Sequence, residues 1–112
     1  MINQNKVEAA LEYMRNNAKN LASAKANRIY ITHYLKTCFA NLYQHAPEDC
    51  KTVEDKKNWC YAHPEYEKQL VALQIAVQEE ETHRWKMEAA EGLTRVWQTQ
   101  CANERLTDRS HQ

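Results

Sequence analysis

Glycine is almost missing from this sequence: Gly92 stands alone in 112 residues, and Pro47 and Pro64 are its only prolines. A sheet protein needs turn-forming residues at short intervals, so the shortage excludes most β architectures. Neither sign of charge prevails, with 15 Lys and Arg against 15 Asp and Glu. That balance argues against a general polyanion binder and equally against an acidic mimic of nucleic acid. No apolar run reaches the about 18 residues that a membrane-spanning helix requires. The opening, MINQNKVEAALEY, has no basic region followed by an apolar core and a small-residue cleavage site. A soluble intracellular protein is therefore expected, with Cys38, Cys50, Cys60 and Cys101 as thiols.

What remains is rich in Ala, Leu, Glu, Lys, Gln and Asn, a helix-forming composition. The expected fold is all-α, a single helical domain over residues 1–112. Its body is a long antiparallel helical hairpin, about 5–45 and 64–106, joined by a short helix at about 53–62. Asn3 or Asn5 is placed to cap the first helix, and Val7, Leu11, Met14, Ala18 and Leu21 step by fours and threes as a packed face does. Beyond Leu21 the same repeat falls on Lys25, Arg28 and Thr32. Either the helix carries polar groups into a contact, or its buried face rotates toward Ala24, Ile31 and Cys38. The Asn16, Asn17, Asn20 cluster is a second point at which the helix is open to interruption. Pro47 ends the helix near His45.

In the connection, Thr52 with Asp55 three residues later makes a variant capping box for the short helix, which Trp59 is expected to anchor. Pro64 at a first helical position, followed by Glu65 and Glu67, starts the last helix, where Tyr66, Leu70, Leu73 and Val77 are expected to pack. The terminal TDRSHQ is expected to fray.

Charge is distributed unevenly. Residues 1–45 hold six basic side chains against Glu8 and Glu12, a net +4, whereas residues 64–112 hold six basic against nine acidic, a net −3. In an antiparallel hairpin with this turn, facing positions sum to about 109, which sets Arg28 against Glu81 and Lys25 near Arg84 and Glu80 or Glu88. On the last helix Glu80, Arg84, Glu88, Glu91 and Arg95 form a charged strip beside an apolar one of Trp85, Ala89, Leu93, Val96 and Trp97. The surplus apolar surface suits a second subunit of a bundle or coiled coil, or a partner protein. The expected partner-binding residues are Glu80, Arg84, Trp85, Glu88, Glu91, Leu93, Arg95 and Trp97.

Other chemistry finds less support. Catalysis by an activated nucleophile lacks both a strand-turn-helix elbow and a glycine-rich phosphate loop, so no enzyme, catalytic residue or cofactor is expected. Glu80-x-x-His83 has the spacing of one carboxylate and imidazole pair of a di-iron bundle, but such a site needs two pairs and two further glutamates. His45, Cys50, Cys60 and His63 flank one connection and are zinc-ligand types, yet H-x4-C-x9-C-x2-H lacks closely paired ligands. The alternative to a protein partner is DNA binding by the first helix, where Lys19, Lys25, Arg28 and Lys36 accompany Tyr30 and Tyr34 and would grip phosphates while stacking bases.

Four stretches in order, AKANRIYITHYLK from Ala24, AHPEYEKQLVAL from Ala62, EEETHRWKMEAA from Glu79 and VWQTQCANER from Val96, resemble small helical proteins encoded by tailed phages and prophages. The resemblance spans about residues 21–105. It implies an accessory role among recombination or counter-defence genes in the cytoplasm of a bacterial host. It supplies no catalytic residues. The functional expectation is a non-enzymatic interaction protein acting on nucleic-acid processing, as an inhibitor of a defence nuclease complex (anti-CRISPR) or a recombination accessory factor.

Overall fold

The structure, a computed structural model, describes residues 2–110. It contains α1 (Gln4–Gln44), α2 (Val53–Ala62) and α3 (Pro64–Ser110), and no strand among the described residues. α1 packs against α3, so the fold is the expected all-α helical hairpin.

Each helix end has a local cause. The Asn3 carboxamide accepts from the Lys6 amide at 2.9 Å and opens α1, satisfying a donor that no intrahelical carbonyl reaches. α1 runs unbroken through its asparagine cluster. There the side chains bond along the helix, Asn17 donating to the Tyr13 carbonyl at 2.9 Å and Asn20 to the Asn17 side chain at 3.1 Å. Thr52 caps α2 by accepting from the Asp55 amide at 3.0 Å. His63 alone separates α2 from α3. Its extended backbone ends one helix, and its imidazole Nδ1 accepts from the Glu65 amide at 3.1 Å to begin the next. α3 continues four residues beyond the expected end at 106, through Ser110. Thr107 and Ser110 hydroxyls donate to carbonyls one turn back, at 3.0 and 2.9 Å. Of the stretch expected to fray, His111 and Gln112 lie outside the described residues.

The chain divides into two compact units, one made of residues up to Ala22 with α3 from Glu81 onward, the other of Ser23–Glu80. In the first, α1 covers Val7, Ala10, Met14, Asn17 and Leu21, while α3 covers His83, Met87, Ala90, Thr94, Trp97 and Cys101. In the second, Ala24, Arg28, Ile31, Leu35, Cys38 and Leu42 of α1 and Tyr66, Gln69, Leu73, Ala76 and Glu80 of α3 are buried or half-buried. Within each unit these residues recur by threes and fours, a heptad seam.

The seam corrects the expected packed faces. Leu11 is 45% exposed and Ala18 is exposed, as are Leu70 and Val77; the buried face sits one residue round, on Ala10, Asn17, Gln69 and Ala76. At the awkward stretch of α1 the face follows Ala24, Ile31 and Cys38, leaving Lys25 and Thr32 exposed. Trp59 is only half-buried, and the residue that fixes α2 is Cys60, at 0% exposure. Among the described residues nothing larger than valine is buried: the set is Val7, Ala10, Ala24, Cys38, Cys60, Ala76 and Ala90. Small side chains let helix axes approach closely but remove little apolar surface from water.

Candidate interaction surfaces

Within the Ser23–Glu80 unit, Arg28 of α1 reaches Glu80 of α3. Its Nε donates to Glu80 Oε2, and its Nη2 lies 3.4 Å from Oε1. The expected charge pairing is therefore present, shifted by one residue from Glu81. With side-chain exposures of 31% for Arg28 and 14% for Glu80, the pair is a partly buried polar layer rather than a bridge across open surface. Removing one partner of such a layer strands the other, so breaking the pair costs more than replacing both partners by apolar groups.

Glu80 thus belongs to the seam and is half-buried. Trp97, in the other unit, likewise occupies a seam position and is half-buried. The two placements have one physical reason: each residue stands at the three-four spacing that faces α1. Of the remaining expected partner residues, Arg84, Trp85, Glu88, Glu91 and Arg95 are exposed, and Leu93 is half-buried. Trp85 is 63% exposed, and beside it Arg84 Nη2 donates to Glu81 one turn earlier on α3. An indole standing open among carboxylates and guanidinium groups is the composition of a binding hot spot with a polar rim.

The residues expected to grip nucleic acid are divided. Arg28 is committed to Glu80. Tyr30 and Tyr34 are exposed and stack on each other, with centroids 6.1 Å apart and planes inclined by 17°. At 100° per residue, however, Lys25 and Lys36 leave α1 on the opposite side from the two tyrosines. Lys19, in the other unit, is exposed. Lys25 and Lys36 therefore do not share a face with the stacked tyrosines.

The connection holds no clustered metal ligands: among the described residues no three His, Cys, Asp or Glu side chains are placed to hold an ion. The two histidines serve the backbone instead. His45 Nδ1 donates to the Asn41 carbonyl at 2.8 Å, while His63 caps α3 and packs edge-on against Trp59. His83, the partner of Glu80 in the di-iron reading, is half-buried in the other unit. All four cysteines are free thiols. Burial pushes the Cys60 thiol up from its ordinary value, and the neighbouring Cys50 and Cys38 push it the same way, which favours the neutral thiol.

One cluster lay outside the sequence expectations. Phe39 packs on Tyr61 at 5.0 Å and Tyr66 at 6.3 Å, Tyr61 meets Tyr66 at 5.4 Å, and the Lys56 ammonium stands 5.6 Å from the Tyr43 ring centre. Leu35 and Lys36 join the three rings around a cavity of about 230 Å³. The signal for it was present in the aromatic pair Phe39 and Tyr43, one turn apart, and its counterpart Tyr61 and Tyr66. In the other unit a groove of about 410 Å³ runs between Lys6, Ala9, Ala10 and Tyr13 of α1 and Lys86, Ala89, Ala90 and Leu93 of α3.

No protein-family model matches the chain, and neither the curated proteins nor the solved structures contain a match. Function must therefore be argued from these surfaces. Among the described residues no helix is long and apolar enough to cross a membrane.

Proposed function

We propose that this chain is a non-enzymatic interaction protein that docks a protein partner on the outward side of α3 around Trp85. The observation that carries the reading is the exposure of that indole within the strip of Arg84, Glu88, Glu91 and Arg95. A large aromatic left in water loses the hydrophobic stabilisation it would gain in a core, and aromatic and Arg side chains are the groups that dominate interface energetics. The resemblance to phage and prophage accessory proteins supplies the setting. The partner is then a complex of host or phage nucleic-acid processing, either a CRISPR interference complex that the chain inhibits or a recombinase that it assists, in the bacterial cytoplasm. Direct DNA binding is the weaker reading, since Arg28 is occupied and the tyrosines diverge from Lys25 and Lys36.

The test uses purified CRISPR interference complex and purified single-strand annealing recombinase as probes. The wild-type chain is expected to bind one of them, and Arg84→Ala with Trp85→Ala to weaken that binding by about 100-fold with helicity intact. Equal affinity of the double variant would sink the reading.

A further inference from the structure

We infer that the cavity where the three helices meet in the Ser23–Glu80 unit is a binding site for a small aromatic carboxylate. Its lining is drawn from every helix of that unit: Leu35, Lys36 and Phe39 from α1, Tyr61 from α2 and Tyr66 from α3. Tyr61 and Tyr66 stand on either side of His63, whose backbone and ring fix the corner between α2 and α3. The placement of the rings is thus built into the fold. Phe39, Tyr61 and Tyr66 have centroids 5.0, 5.4 and 6.3 Å apart and form one aromatic wall. Leu35, Phe39 and Tyr66 are half-buried, whereas Lys36 and Tyr61 are exposed, which sets the floor at the first three and the mouth at the other two.

Volume limits the ligand. A cavity of about 150 Å³ lined by apolar side chains accommodates one benzene ring. This one holds about 230 Å³. The difference of about 80 Å³ has room for about three further non-hydrogen atoms, at about 30 Å³ each. One ring with a small substituent fits, and a stacked pair of rings does not.

Charge decides its class. Three rings by themselves would suit a cation, which the negative ring faces attract. Here the lining includes the Lys36 ammonium and no carboxylate, and among the described residues Lys36 forms no ion pair. An ammonium left free at the wall repels a cationic ligand and offers a charge-assisted hydrogen bond to an anionic one. Lys56, 5.6 Å from the Tyr43 ring centre, adds a second positive charge to the same aromatic cluster. The remaining polar groups of the lining, the Tyr61 and Tyr66 hydroxyls, are donors that a carboxylate accepts. A ring packed on rings with its carboxylate toward Lys36 therefore uses both kinds of group that the cavity presents.

Benzoate titrated into the full chain, read by amide chemical shifts, tests this. It is expected to bind with a dissociation constant of about 1 mM, within reach of so small a ligand, and to move the amides of residues 35–39 and 61–66. Benzyl alcohol keeps the ring without the charge, benzylamine reverses the charge and acetate lacks the ring; each is expected to bind about tenfold more weakly or less. Lys36→Met keeps an apolar stem at an exposed position, so helicity should hold. It is expected to weaken benzoate about tenfold and to leave benzyl alcohol within about twofold. N-acetylphenylalanine separates two sources of the same chemistry: binding tighter than benzoate assigns the site to the end of a polypeptide, weaker binding to a free acid, and both uphold the class. Unmoved amides in those two stretches at about 20 mM benzoate, benzylamine bound as tightly as benzoate, or equal benzoate affinity of Lys36→Met would each overturn the inference. Trp85 belongs to the other unit, so failure here leaves the docking reading of α3 standing.

Discussion

The two units of this molecule solve the same packing problem with different means. Ser23–Glu80 has three helical segments, and the third supplies what the other two lack. Cys60 of α2 is fully enclosed, Phe39 gains two rings to pack against, and Arg28 finds Glu80. The other unit has two helical segments and nothing to cover their flanks; its buried set is Val7, Ala10 and Ala90. Two helices can bury a seam but not their sides, whereas a third element closes one side at once. The difference predicts that Ser23–Glu80 holds itself together while the other unit depends on what docks against it.

The largest way to break the comparison is Cys60→Asp. A carboxylate at a site with no exposure is expected to remove about 3 kcal/mol or more, and hydrogen-exchange protection should fall first within residues 23–80. Protection falling equally in both units would make them one cooperative body. A smaller effect is expected at the polar layer. Arg28→Ala leaves Glu80 partly buried without its arginine and should cost about 1–3 kcal/mol, whereas Arg28→Met with Glu80→Leu should be neutral or stabilising in urea denaturation. If the double variant lost as much as the single one, the pair would contribute stability rather than register. Least of all, Trp85→Ala should shift the midpoint of urea unfolding of the chain alone by no more than about 0.5 kcal/mol, since the indole covers no core. A larger loss would mean that Trp85 serves the fold.

The element boundaries were legible because their causes are local. Pro47, Thr52 and Pro64 each act within one turn, and the structure differs from expectation mainly in the four further residues of α3. The rotational phase of the helices was legible only in part. Apolar periodicity assumes that the larger hydrophobic residue of a neighbouring pair is the buried one. Here the seam takes Ala10 over Leu11 and Ala76 over Val77, where close helix approach favours the smaller side chain, and it also takes Asn17 over Ala18 and Gln69 over Leu70, which size does not explain. Val7, Met14, Leu21, Tyr66 and Leu73 of the expected faces keep their places, and only the alternate members give way to a neighbour. Charge was the better guide in the middle of the hairpin, where Arg28 was assigned its acidic partner to within one position. The aromatic cluster escaped notice because its members come from three helices, and spacing along one helix shows only pairs.

His63 gives the connection two unlike sides. Between α1 and α2 the chain has several residues of slack, in which Cys50 donates its amide to the Pro47 carbonyl in a simple turn at 3.0 Å. An extra residue there would be absorbed by the loop. Between α2 and α3 there is one residue, and its backbone closes the first helix while its ring opens the second. A residue added or deleted at that corner would swing the first turns of α3 by about 100° relative to α2 and carry Tyr66 away from Tyr61 and Phe39. Length variation in this chain should therefore be tolerated before Thr52 and rejected at His63.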